Sequence, residues 1–377
     1  MTDGDGARDA GQTTRGPARS AARAILACAL LLAGCGSSAA TAAPRAVQVR
    51  FGARAPLSGG LSAEEELRPA RFVEVRAIDA DGSERDRALT DAEGRATLEA
   101  ASDGAIVVTS RYRRGELEAW VSRDAQGRTV HEHRVPIGGS SALAIELSDA
   151  QPMAGALHLL DTLAHGLETV ERWRGVAMPP LFAHWGRGET TDWSYYLGEV
   201  PRGSGQFGLV LMGGEPGRQA TTDTDEHDEG IVLHELGHYV MDRRTGDSSI
   251  GGRHPPGSLT DPGVAWEEGR ATFFAVAALA ASGLSRDAIY RDTIGVVPTG
   301  HCRVDQDVET PAAALPRGHG AQESVTAILW DLADGAEGLP DRDEDSVALG
   351  AAAVLEAMEA HWAEEGATPR SRRSSTS

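Results

Sequence analysis

Apolar residues first alternate with polar ones along the chain and then fall into a helical rhythm. Val47-Gln48-Val49-Arg50-Phe51 and Phe72-Val73-Glu74-Val75-Arg76-Ala77 alternate, and Ala105-Ile106-Val107-Val108-Thr109 is a short apolar run. Turn signals such as Asp81-Gly82 and Glu93-Gly94 separate these runs, so residues 46–148 read as strands. From Gln151 the spacing changes. Leu157, Leu160, Leu163, Leu167 and Val170 recur at steps of three and four, which predicts a helix over 153–174. Short strands are expected at 181–185, 194–197 and 207–212, then helices around 228–243, 264–282, 321–333 and 345–362. Gly283 and Gly335 stand where two of these helices should stop. The expected fold class is α+β: an all-β sandwich over 46–148, then a mixed domain over 150–365.

The length of 377 residues leaves room for about two domains at ~150 residues each. Hydrophobic residues are 41% of the chain, and the 45 Gly bring the share to a globular level. All 36 basic residues are Arg, set against 56 acids for a net charge of −20. No basic stripe exists to release counterions, so nucleic acid is not an expected partner. The chain has neither Lys nor Asn. Schiff-base and P-loop lysine chemistry is therefore excluded, and Gly must supply most left-handed backbone positions.

Residues 24–34 form an uncharged apolar run preceded by Arg8, Arg15, Arg19 and Arg23. A bilayer span needs ~20 apolar residues, so this run fits the core of an export signal instead. Its end, Leu32-Ala33-Gly34-Cys35, resembles the lipobox of bacterial lipoproteins, which implies cleavage before Cys35 and lipidation of its thiol. Residues 1–34 are thus expected to be a signal peptide and 35–45 a flexible tether. The expected location is the bacterial cell envelope, outer membrane or periplasm, with the membrane as partner through the lipid anchor. Cys302 is then the one cysteine left, so no intramolecular disulfide is expected. The Ser/Arg-rich residues 366–377 are expected to be a disordered tail. Thr90-Asp91-Ala92-Glu93-Gly94 resembles a turn of carboxypeptidase-regulatory-like, transthyretin-type sandwiches, which implies a spacing or binding role for 46–148. His131 and His133 share a strand face there and are expected to be solvated rather than to hold a metal.

The candidate chemistry lies in Leu233-His234-Glu235-Leu236-Gly237-His238. Four residues apart on a helix, His234 and His238 project from one face and can share a Zn²⁺. Glu235 is then placed as a general base. Downstream, Trp266-Glu267-Glu268-Gly269-Arg270-Ala271 sets two adjacent acids in an apolar helix, where an unpaired Glu is costly. Together these motifs resemble the gluzincins, the thermolysin-like zinc peptidases. The resemblance implies one zinc ion held by His234, His238 and Glu268, with Glu235 as base. A wider likeness, over about 150–335, is to bacterial envelope proteins with gluzincin-type motifs. It runs through Asp223 to Tyr239, Asp247 to His254, Val264 to Gly269 and Glu323 to Leu332.

The departures are specific. Many gluzincins carry Asn before the ligand Glu, where this chain has Glu267, and Asn-based substrate contacts cannot exist here. The acid that often orients a ligand histidine is replaced by Thr272, with Asp261 or an acid of 223–229 as substitutes. For the donor that stabilises the oxyanion, the likeness to a late helix points to His319, ahead of His301, His254 and Tyr239. Cys302 is expected to be a small buried hydrophobe. The acids of 223–229 are expected to form a solvated helix start, with Ca²⁺ binding the lesser alternative. The strand 207–212 is expected to be the sheet edge that receives an extended peptide. The resemblance thus implies an envelope zinc metallopeptidase acting on a peptide or protein. Its rivals are a non-enzymatic envelope binding module on a gluzincin scaffold with a structural zinc, and a metal-free structural protein.

Overall fold

Alternation at the start of the chain becomes strand because every second side chain finds a core. In β1 (Ala42–Ala53), Val47, Val49 and Phe51 are buried while Ala46 and Gln48 face out. The computed structural model describes residues 41–189, 191, 193–246, 251–252, 254–255, 257–295, 300, 303–342 and 346–366. After β1 come the small pair β2 (Pro56–Leu57) and β3 (Gly60–Leu61), then β4 (Glu66–Pro69), β5 (Val73–Ile78), β6 (Glu84–Leu89) and β7 (Arg95–Ala101). The strand-rich part ends with β8 (Ala105–Arg114), β9 (Leu117–Ser122), β10 (Glu132–Pro136) and β11 (Ala142–Leu147).

Helix α1 (Pro152–Arg174) follows, then β12 (Leu181–His184), β13 (Tyr195–Glu199) and β14 (Phe207–Val210). Next are α2 (Glu229–Thr245), α3 (Pro262–Ser282), the hairpin of β15 (Ile289–Thr293) and β16 (Arg303–Asp307), α4 (Gln322–Ala333) and α5 (Ala351–Gly366). Mixed α+β architecture is what the described residues adopt.

One sheet is built on β1, which runs parallel to β11 on one side. Its other side pairs antiparallel with β7 along Ala42–Gln48 and with β4 along Arg50–Ala53. Pairing with β7 draws residues 42–45 into the strand, so the expected tether gives way to sheet there. The second sheet has the order β13-β14-β12-β9-β8-β5-β6, with β10 paired to β8. Strands β9, β12 and β14 are mutually parallel, and Leu181, Phe182 and Ala183 are fully buried, as a strand covered on both faces requires.

That sheet joins strands from before α1 to strands from after it. Residues of both sheets, α1, α2 and α3 bury into one apolar core. The composition shift near residue 149 therefore marks a change of element, not a seam between two cores, and the described residues on both sides of it cluster as one compact unit. A second, smaller core lies between α3, α4 and α5, around Phe273, Val276, Trp330 and Val354.

The edge of the large sheet also differs from expectation. β14 is covered on both sides, by β12 and by β13, so β13 is the edge strand. The register shifts between Tyr196 and Gly198, and Tyr196 Oη donates to Asp242 Oδ2 of α2 at 2.7 Å. The free edge thereby borders the helix that carries His234. Residues 1–40, including Cys35 and the signal and most of the tether, lie outside the described residues, as do His301, Cys302 and the tail from 367 on.

Candidate metal centre

Helix α2 starts at Asp228, whose carboxylate accepts from the backbone N–H of Gly230 at 3.1 Å and Ile231 at 3.3 Å. Its apolar side packs on α1, where a Cβ on Gly166 would fall 2.2 Å from Leu236 Cδ2. Its other side packs on α3, where a Cβ on Gly237 would lie 3.0 Å from the Cα and carbonyl oxygen of Ala271. Glycine at 237 lets the two helix backbones meet, and that closeness sets the histidines of α2 against Glu268 of α3.

His234 Nε2 lies 3.2 Å from Glu268 Oε2, His238 Nε2 lies 3.4 Å from the same oxygen, and the two nitrogens are 3.1 Å apart. These three residues could hold a metal ion. Burial alone would raise the Glu268 carboxyl, but the two imidazoles hold it well below the carboxylate range. Burial works to lower His238, yet Glu268 overrides it and brings the ring up to about 9.

Glu235 is buried beside them and makes no hydrogen bond or ion pair among the described residues. Burial raises its carboxyl, while the charges of His238 and His234 pull it down. A buried, unpartnered carboxyl next to a cluster of metal-type donors is poised to take a proton.

The other residues sort themselves by contact. Thr272 Oγ1 sits 3.1 Å from His234 Nδ1, so the hydroxyl occupies the place where an acid was expected. Asp261 is occupied as the N-cap of α3, accepting from Gly263 N at 2.8 Å. Glu267 turns away from the histidines to pair with Arg270, whose guanidinium also donates to Thr245 Oγ1 at 2.5 Å and to the Gly246 carbonyl at 2.6 Å. Both adjacent acids of α3 therefore have a partner.

His254 comes in from the segment between α2 and α3 and places Nε2 3.3 Å from Glu268 Oε2. His319 instead lines a groove of about 490 Å³ with Pro262, Trp266, Ser324 and Ile328. Trp266 precedes Glu268 by two residues, about 200° around the helix, so that groove faces away from the donor cluster. Tyr239 is fully buried and its hydroxyl donates to the Pro179 carbonyl at 2.7 Å, which fixes it as a packing residue.

Two expectations about polar segments are corrected. Asp225, Glu226, His227 and Asp228 are all buried, not solvated, because the 3₁₀ turn Asp225–His227 is wedged between α1 and α2. Glu226 pairs with Arg187 at 3.1 Å, and Glu229 pairs with Arg68 and His158 at 3.0 Å. Asp225 Oδ2 accepts from Met212 N at 2.8 Å and from Ser194, while its Oδ1 has no partner among the described residues. His131 is likewise buried, with Nε2 2.9 Å from the Trp185 carbonyl and its ring pushed down to about 4 by burial.

A second acidic set, Glu309, Asp334 and Asp341, also converges, but Arg342 already engages Glu309 at 3.1 Å.

No family model matches the chain. Protein transport protein SEC23 D of Arabidopsis thaliana is 37% identical over 123 residues, covering 30% of this chain and 15% of that protein. A 9R-lipoxygenase structure from Cyanothece is 13% identical, covers 29% of this chain and 16% of its own, and has a TM-score of 0.17. A likeness that slight carries no argument about fold or chemistry.

Proposed function

We propose that the chain is a zinc-dependent peptidase of the gluzincin type, exported and held in the cell envelope by a lipid on Cys35. The observation that carries this reading is the meeting of His234 Nε2, His238 Nε2 and Glu268 Oε2 beside the buried carboxyl of Glu235. Tetrahedral zinc with bonds of ~2.0–2.1 Å sets its donors ~3.3 Å apart, and the three separations here run from 3.1 to 3.4 Å. Two imidazole nitrogens and a carboxylate are also the donor chemistry zinc accepts.

When bound, zinc supplies the Lewis acidity that polarises a carbonyl and makes water acidic near neutral pH. Glu235 takes the proton of the attacking water and returns it to the leaving amine. Thr272 Oγ1, hydrogen-bonded to Nδ1 of His234, holds that ring with Nε2 turned inward. The free edge of β13 offers backbone donors and acceptors to an extended substrate. Anchoring by lipid is supported by the sequence around Cys35, and no described helix is long and apolar enough to cross a membrane.

The test is digestion of a mixed peptide library by zinc-loaded residues 40–377 beside Glu235→Gln. Cleavage by the parent and a loss of about 10²–10⁴-fold in the variant is the expected result. Equal zinc content with no cleavage by either protein would replace this reading with the non-enzymatic module.

A further inference from the structure

Strands β8 and β9 turn Tyr112, Ala119 and Val121 into the main core beneath α1. The alternate residues Arg111, Glu118 and Trp120 therefore lie on the opposite face of the sheet. Phe182 of β12 joins them there, its ring stacked 5.8 Å from that of Trp120. Helix α2 packs on the core face, where Tyr239 meets Phe207 at 5.4 Å, so the sheet separates this outer face from the metal centre.

On the outer face the segments 123–129 and 200–206 border a groove of about 540 Å³, within the ~300–1,000 Å³ range of small-molecule sites. Each segment is pinned by a carboxylate. Asp124 accepts from Gln126 N at 3.0 Å and Thr129 N at 2.7 Å, and Glu199 accepts from Gly205 N at 2.7 Å. Gln206 Nε2 donates to the Gln126 carbonyl at 3.4 Å and ties the two segments together. Trp120 is 4% exposed, so its ring serves as a support. It donates Nε1–H to the Gly127 carbonyl at 2.7 Å and carries the Arg111 guanidinium 4.9 Å from its ring centre.

Glu118 is the one acid lining the groove, and Arg111 at 2.5 Å and Arg113 at 2.9 Å already share its Oε1. Arg128 also lines it and makes no ion pair among the described residues. In a chain of net charge −20, this is a local excess of guanidinium. Gln126, Ser204 and Gln206 add side chains that both donate and accept.

We propose that this groove binds an acidic sugar, a short oligosaccharide bearing uronate carboxylates. Guanidinium groups receive carboxylates through paired N–H donors. Amide and hydroxyl side chains suit sugar hydroxyls, which likewise donate and accept. An acidic peptide fits less well, because β8, β9, β12 and β14 are each paired on both sides and offer no strand edge to a peptide backbone. Binding on this face requires neither the metal nor peptidase activity.

The test is isothermal titration of the full chain with trisaccharides of galacturonate, glucuronate and mannuronate, beside their methyl esters and triglutamate. At least one uronate should bind saturably, with its methyl ester weaker by about tenfold or more. Arg128→Gln, at an exposed position, should weaken that uronate by about tenfold or more at an unchanged melting temperature. Failure of all three uronates to bind would overturn the proposal. So would equal binding of the methyl ester or of triglutamate, or equal affinity in parent and Arg128→Gln.

Discussion

At the scale of single residues, the hydroxyl of Thr272 has the clearest consequence. It holds the His234 ring at Nδ1 where the family pattern has an acid, and a hydroxyl makes that hydrogen bond without adding charge to a buried site. Thr272→Val keeps the shape and removes the hydroxyl. Zinc affinity, measured by competition with a chelator, should fall about tenfold, and Thr272→Ser should recover most of it. An unchanged affinity in the valine variant would show that the ring is held by other means. The donors themselves were legible in the sequence, because helical spacing alone puts His234 and His238 on one face. Thr272 was visible only as a missing acid, although its position four residues after Glu268 was the signal. His254 was one name among four, because the sequence says nothing about which of several loop histidines returns to Glu268. His319 matched a family position, yet it lines the groove on the far side of α3.

At the scale of elements, α2 and α3 are joined by glycine on one face and, at one end, by Arg270 of α3, which reaches across to the end of α2. Arg270 and Glu267 are both buried, and Arg270 also caps the end of α2 at Thr245 and Gly246. Arg270→Met removes the guanidinium that pairs with Glu267 and frees the end of α2. The expected loss is about 3 kcal/mol in denaturant unfolding, whereas a loss below about 1 kcal/mol would mean that these contacts contribute little. The helices were legible because their apolar spacing is local: α1 was expected over 153–174 and spans Pro152–Arg174, and α3 was expected over 264–282 and spans Pro262–Ser282. Pairing between distant segments was not. Nothing local distinguishes β14 as an inner strand from an edge, since that depends on where Tyr195–Glu199 comes to lie. The hairpin of β15 and β16 was missed for a related reason: Ile289–Thr293 and Arg303–Asp307 carry too many charges to alternate.

At the scale of the whole molecule, the shared core predicts how the chain unfolds. Because β9 and β12 pair across the expected domain boundary, calorimetry of the metal-free chain should show one transition. Two well-separated transitions would mean that the strand-rich part melts by itself. The buried acids before α2 set the pH dependence. Burial pushes Asp223 up to about 6 and Asp228 to about 7, and it raises Asp225 and Asp292 well above their ordinary values. Each keeps a proton in the folded chain that the unfolded chain has lost above pH ~4. Their stabilisation is therefore full below that pH and drains away as pH rises through about 6 and 7. Glu229, held down to about 2, acts oppositely, but only in more acid solution than its ordinary value. In chelator, the melting temperature should be higher at pH ~5.5 than at pH ~8. A melting temperature that climbs from the lower pH to the higher would contradict this account.

The place of β1 in its sheet also bears on how the chain is made. It is the first described element, yet it is an inner strand, and its last partner is Ala142–Leu147. At ~5–20 residues per second, the ribosome delivers that partner on the order of 5–20 s after β1 itself. Throughout that interval an apolar strand with open backbone groups is available to any stray partner. Arg45 and Arg50, set into the alternation of β1, put charge on the strand during that wait, in the manner of gatekeeper residues. In the finished sheet Arg45 donates to the Ser140 carbonyl and Arg50 lies against Glu146, both contacts at the approach of β11. The same two arginines that discourage early association thus find their partners when the late strand arrives.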